Sequence, residues 1–252
     1  MDYDEYRTIA GDFLSYGTDP SAFSAKGSAH VERMLKVGYR NFLYHSMVEP
    51  EATVYVWSFF KPLRKLQTVA SQADYVMPED FGGIAYYLTY VRDDNYCEII
   101  MVPEQRIRQF RQMNYADSPP NEAAIVVLES DGVSPQRFQL MLHPTPDAAY
   151  TLTYRCLVNP RPLSATNPYP ICGPEHAETL KEAILAACEK DLDDTQGVHA
   201  AAYQSLLAGS IARDRKTKSA DWIGSMNEGG SILAEISRNR RYVTFNGVDP
   251  TV

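Results

Sequence analysis

Between Phe138 and Cys156 apolar and polar residues alternate twice, with an interruption in the middle. Phe138, Leu140 and Leu142 alternate with Gln139, Met141 and His143. After Pro144-Thr145-Pro146-Asp147, Tyr150, Leu152, Tyr154 and Cys156 alternate with Thr151, Thr153 and Arg155. A period of two on both sides of a turn-forming cluster predicts two antiparallel strands joined as a hairpin. Just upstream, Ile125 to Leu128 is a β-branched run closed by the turn dipeptide Asp131-Gly132. Such a sheet must cover its apolar face, and the region from Glu49 to Tyr96 offers the strands for a second layer.

Those further strands are expected at Val54–Phe60, Lys65–Val69 and Tyr75–Phe81, the last entering a Pro-led turn. Ile84–Val91 is expected to pair with Glu98–Met101 across Asp93-Asp94-Asn95. Pro103 opens a short helix, EQRIRQFRQMN, which lies between two groups of strands and is expected to cross from one layer to the other.

Helical periodicity flanks this β region on both sides. Tyr6, Ile9, Ala10, Phe13 and Leu14 share one face of a helix over Tyr3–Tyr16, which Gly17 ends. A second helix starts at Ser28 and runs to Tyr44, with Val31, Met34, Leu35, Gly38, Phe42 and Leu43 inward; Gly38 is expected to permit close helix approach. Beyond the Pro168–Gly173 linker, Ala177, Leu180, Ile184, Ala187, Cys188 and Leu192 mark a third helix. Val198, Ala202, Leu206 and Ile211 mark a fourth. The expected fold is α+β: a bundle of about four helices, an inserted antiparallel β-sandwich or barrel, and an extended C-terminal arm. The boundaries are 1–49 and 165–213 for the two halves of the bundle, 50–164 for the β module and 214–252 for the arm.

Charge separates the arm from the rest. The chain carries a net charge of −8, yet from Arg213 onward there are seven Lys/Arg against five Asp/Glu. An acidic body argues against wrapping nucleic acid through phosphate neutralisation. The arm has too little apolar sequence for a core of its own, yet it holds Trp222, Ile232, Ile236, Arg238, Arg240, Arg241, Tyr242 and Phe245, which are expected to lie on another protein. The N-terminus lacks a basic start followed by an apolar run, and no apolar stretch reaches 18 residues, so neither a secretion signal nor a membrane span is expected.

The search for chemistry is largely negative. There is no GxSxG, Walker A, HExxH or CxxC pair, and neither enzymatic activity, metal nor cofactor is expected. Cys97, Cys156, Cys172 and Cys188 are scattered and read as free thiols. His176 and His199 are expected to be solvated or capping, and Asp191, Asp193 and Asp194 a solvated helix end. Arg106, Arg108 and Arg111 read as a solvated or ion-paired face.

Three segments in order carry a resemblance to a known family. They are Met77-Pro-Glu-Asp-Phe81 before an aromatic strand, the Leu142–Pro146 to Tyr150–Tyr154 hairpin closing in Asn159-Pro-Arg-Pro-Leu163, and the Ala-rich helix pair from Pro174 to Ile211. Together the chain from about Ser28 to Arg213 resembles the head-tail connector (adaptor or neck) proteins of tailed bacteriophages. The resemblance implies a structural virion protein, assembled in the host cytoplasm into a homo-oligomeric ring, most often a dodecamer, beneath the portal. Such a ring lengthens the channel through which DNA is packaged and ejected without sequence-specific binding. It offers a platform to neck and tail proteins, while the C-terminal arm reaches the portal. Two alternatives stay open: a β-sandwich binding module for a collar, fibre, carbohydrate or host factor, using aromatics such as Tyr86, Tyr87 and Tyr90, and a tail-terminator protein.

Overall fold

The computed structural model describes residues 1–45, 55–91, 96–113, 116–129, 132, 136–195 and 197–217. Among these are five α-helices and two four-stranded sheets, a mixed α+β arrangement with both sheets open, so the barrel alternative is not realised there. The helices are α1 (Tyr3–Phe13), α2 (Ala25–Leu43), α3 (Glu104–Arg111), α4 (Ala177–Asp193) and α5 (Val198–Thr217).

α1 is opened by a capping box: the Asp2 carboxylate accepts from Glu5 N at 3.0 Å and Glu5 accepts from Asp2 N at 2.8 Å. The helix stops at Phe13, and the chain turns through Ser15 and Gly17, both at positive φ. α2 begins one turn earlier than expected, because Ser24 Oγ, not Ser28, accepts from Gly27 N (3.1 Å). Ser28 Oγ instead accepts from Arg7 (2.7 Å), tying α1 to α2. As expected of Gly38, α2 and α4 meet there: a Cβ at that position would lie 2.5 Å from Ile184 Cα.

One sheet has the order β1 (Leu63–Gln67), β8 (Thr151–Val158), β3 (Phe81–Ile84), with β4 (Thr89–Tyr90) also on β8. The other runs β2 (Asp74–Val76), β7 (Phe138–His143), β6 (Glu122–Val127), β5 (Ile100–Met101). One buried cluster draws on both: Tyr75, Leu140 and Leu142 from one, Phe81, Leu152, Tyr154 and Cys156 from the other.

Four expectations are corrected here. β7 and β8 are consecutive strands with the expected inward residues, but they belong to different sheets. The Pro144–Asp147 break carries the chain across, and β7 pairs with β6 instead, Ile125 opposite Leu140. α3 joins β5 to β6 within one sheet rather than linking two layers. Those strands run parallel, as a helical crossover requires, so the β region is not wholly antiparallel. α3 packs its buried Ile107 on Ala124 and Met141, covering the outer face of that sheet. This double cover explains why β7 is buried on both faces over Leu140–His143, whereas β8 alternates buried and half-buried along its length. Finally, Tyr55 to Trp57 lack regular structure and Ser58–Phe60 is a 3-10 turn, not a strand. Trp57 and Phe60 are buried with α1, α2, α4 and α5 residues, so this segment's aromatics fill the helical core.

Candidate functional site

Trp222, Ile232, Ile236, Arg238, Arg240, Arg241, Tyr242 and Phe245 lie outside the described residues. The structure does describe the point from which that segment departs. Helix α5 is rich in Ala, a strong helix former, and carries Arg215 and Lys216 in its last turn, where cations suit the helix dipole. It continues past Arg213 to Thr217, so Asp214 is a helical residue, 2% exposed. Its carboxylate accepts three hydrogen bonds from the segment that leads into the β region: from Tyr55 Oη (2.5 Å), Ser58 N (2.9 Å) and Ser58 Oγ (2.5 Å). On either side, Arg213 donates to the Glu175 carbonyl (2.6 Å), and the Arg215 guanidinium lies 5.3 Å over the Tyr55 ring. Three successive residues thus fasten the end of α5 to two other parts of the chain.

Beneath this clasp, Trp57 is enclosed by aromatic rings. Phe42, His45, Tyr55, Phe59 and His176 all have ring centres 5.0–5.4 Å from it. His176 is fully buried, against the expectation of a solvated or capping residue. It stands at the N-cap of α4, directly before Ala177, but its side chain makes no capping hydrogen bond and turns inward. Among the described residues neither of its ring nitrogens, nor Trp57 Nε1, has a hydrogen-bond partner; the Glu175 carboxylate is 3.6 Å away. Burial lowers the pKa of His176 and of His45, favouring the neutral imidazoles.

The other titratable residues are engaged structurally. His30 Nε2 lies 2.7 Å from Asp191 Oδ2, and its Nδ1 lies 3.0 Å from Tyr16 Oη. Asp191 also pairs with Arg33 (3.2 Å). His199 is not merely solvated: its Nδ1 is 2.8 Å from Glu182. His143 stacks on Phe110, and burial lowers its pKa. Arg106, Arg108 and Arg111 pair with Glu122, Glu104 and Asp74, the ion-paired face expected of them. All four cysteines are free, and burial pushes the Cys172 and Cys188 thiols up to about 12. No group of three or more His, Cys, Asp or Glu side chains among the described residues is placed to hold a metal ion, and no described helix is long and apolar enough to cross a membrane.

Two of the segments that carried the resemblance meet at an open cleft of about 440 Å³. Arg161 donates to Glu79 (2.6 Å), Asn159 N donates to the Asp80 carbonyl (2.8 Å), and Arg64 grips the Asp80 carboxylate with both terminal nitrogens (2.8 and 2.5 Å). That guanidinium holds the Asp80 carboxyl below the usual range. These residues tie the entry of β3 to the exit of β8, which is a scaffolding role. Elsewhere Tyr86 and Tyr87 are exposed, whereas Tyr90 is partly buried and donates to the Pro120 carbonyl (2.6 Å).

The arrangement fastens the end of α5, the point from which the C-terminal segment leaves. A family model, SU10 adaptor protein, matches residues 50–228, from just before the Tyr55–Phe60 segment to beyond the end of α5. No curated protein matches the chain. The match covers more than two thirds of the sequence and agrees, at the level of a phage adaptor family, with the resemblance carried by the three segments. The chain belongs to the SU10 adaptor protein family.

Proposed function

We propose that this protein is a structural component of a tailed-phage virion, assembled as a ring beneath the portal. In that position it lengthens the DNA channel and offers a platform to the next neck or tail protein. The family match over residues 50–228 is the observation that carries this reading. In it, α1, α2, α4 and α5 act as one bundle into which the β region is inserted, and the segment after Thr217 reaches the portal through Trp222, Ile232, Ile236, Tyr242 and Phe245, with Arg238, Arg240 and Arg241 meeting acidic groups. The Asp214 clasp supports the role, because an arm that transmits attachment needs a rigid root. DNA passes through the ring without sequence-specific contacts, and the chain works without catalysis.

The test is truncation after Thr217, which keeps Asp214 and its partners. The shortened protein should fold with an unchanged melting temperature and no longer co-sediment with the portal protein of the same virus. Undiminished portal binding would overturn the assignment of the arm.

The exposure of Tyr86 (41%) and Tyr87 (52%) favours one second reading, a binding surface on the β region for a collar, fibre or carbohydrate. Replacing both by Ala would then abolish that binding and leave portal docking intact. Retained binding in the double variant would remove the case for it.

A further inference from the structure

Two exposed helical stripes of opposite sign lie on different helices of this chain. On α2, Arg33, Lys36, Val37 and Arg40 follow one another at helical spacing, with Tyr44 at the C-cap just beyond, and all are exposed, Val37 by 41% and Tyr44 by 56%. Arg33 reaches Asp191 while staying 63% exposed; among the described residues no acid pairs with Lys36 or Arg40. On α1, Asp4 and Asp12 are exposed at i and i+8 with Thr8 between them and Glu5 beside, opposite the buried Tyr3, Tyr6 and Ala10. The one cation of α1, Arg7, turns away to Ser28 and over the Phe23 ring.

We propose that the cationic stripe of α2 in one copy docks on the acidic stripe of α1 in the next. This contact rests on the ring reading above and names the surfaces that build the ring. The spacings agree: at a rise of 1.5 Å per residue, Asp4 to Asp12 spans about 12 Å and Arg33 to Arg40 about 10 Å. Two different patches that complement each other make a head-to-tail contact, which repeats from copy to copy instead of stopping at a dimer and builds a ring when the rotation between copies closes. The chain's own segment after Thr217 is a poor occupant of the α2 stripe because its four Lys/Arg and four Asp/Glu leave it no net negative charge to offer. Nucleic acid would engage the cations but not Val37 and Tyr44, whereas apolar side chains framed by charges suit a protein surface. Both stripes also lie before residue 50, outside the part the family model covers.

Sedimentation velocity across a dilution series, with and without the portal protein, tests this. Lys36→Glu/Arg40→Glu, or Asp4→Lys/Asp12→Lys, places like charges opposite each other. Each pair should raise the concentration at which the ring half-assembles by at least about tenfold. Combining all four substitutions in one chain restores complementarity at every contact and should bring assembly back close to wild type. Circular dichroism confirms that each variant is folded; should Asp4→Lys disturb the first turn of α1, Asp12→Lys combined with Arg40→Glu serves as the rescue pair. A wild-type ring insensitive to either reversal overturns the interface and leaves the ring standing. Loss of binding to a short DNA duplex in the α2 variant, with assembly unchanged, overturns it in favour of a DNA-facing stripe. A wild-type chain that stays monomeric even with the portal overturns the ring and the interface together.

Discussion

The close approach of α2 and α4 at Gly38 makes a prediction in which two effects oppose each other. Replacing Gly38 by Ala removes a helix-interior glycine, which by itself favours the helix by up to about 1 kcal/mol. The added methyl, however, would lie 2.5 Å from Ile184 Cα, 2.8 Å from its Cγ1 and 2.9 Å from its N. Carbon atoms pack at about 3.5–4.0 Å, so the two helices must part by about 1 Å, and two of these three obstacles are backbone that no rotamer change can move aside. Parting them loosens Leu35, Phe42, Leu180 and Ile184, all at the centre of the helical core. Overpacking of this kind costs about 1–3 kcal/mol or more, and a backbone obstacle belongs at the upper end. The packing cost should win, leaving Gly38→Ala less stable by about 1–3 kcal/mol and lowering the melting temperature by about 2–12 °C. Gly209, in α5, is the control: no described atom lies within 4 Å of its would-be Cβ, so Gly209→Ala should raise stability by up to about 1 kcal/mol. Urea unfolding followed by circular dichroism gives both numbers. A Gly38→Ala variant as stable as wild type would refute the inference that backbone contact decides this site.

Two further predictions concern the clasp and the aromatic cluster. Asp214→Ala removes the acceptor shared by Tyr55 Oη, Ser58 N and Ser58 Oγ and should cost about 2–4 kcal/mol, with faster proteolysis near residue 217; unchanged melting and cleavage would mean the clasp is not formed in solution. His45, His143 and His176 are held neutral by burial, so the folded chain takes up their protons only below the ordinary value of 6.5. The unfolded chain binds those protons first. Stability should therefore be level above about pH 7 and fall as the pH drops through 6.5 toward the folded-state values, by up to about 1.4 kcal/mol per pH unit for each histidine. His176→Phe should flatten that slope, and melting temperatures equal at pH 7.5 and pH 5.5 in the wild type would contradict it.

The β region shows what alternation in a sequence can and cannot convey. The inward set Leu140, Leu142, Leu152, Tyr154 and Cys156 was legible because period two assigns each side chain a face. It does not assign a partner, and a Pro-rich break reads the same whether it closes a hairpin or carries the chain between sheets. The parallel β5–β6 pair was missed because Ile100 and Met101 are too short a strand to declare its direction. The aromatic run at Tyr55–Phe60 imitates a strand. Only Asp214, far along the chain, and the helical core explain why Trp57 and Phe60 turn inward. His176 was misplaced for a similar reason, since its burial depends on Phe42, Trp57 and Phe59 from two other segments. Gly38 was legible as a point of close helix approach from its place on the inward face of its own helix, whereas its neighbour, Ile184 of α4, was not. The arm residues from Trp222 to Phe245 lie outside the described residues, and of them only Trp222 falls within the family match over 50–228, so the docking proposed for them rests on composition.

The most direct test of the account is the mass of the full-length protein by native mass spectrometry, alone and mixed with the portal protein of the same virus. A ring-sized species in either sample is the predicted result and would give the stoichiometry directly. A monomer in both would contradict the adaptor ring and shift attention to the exposed tyrosines of the β region.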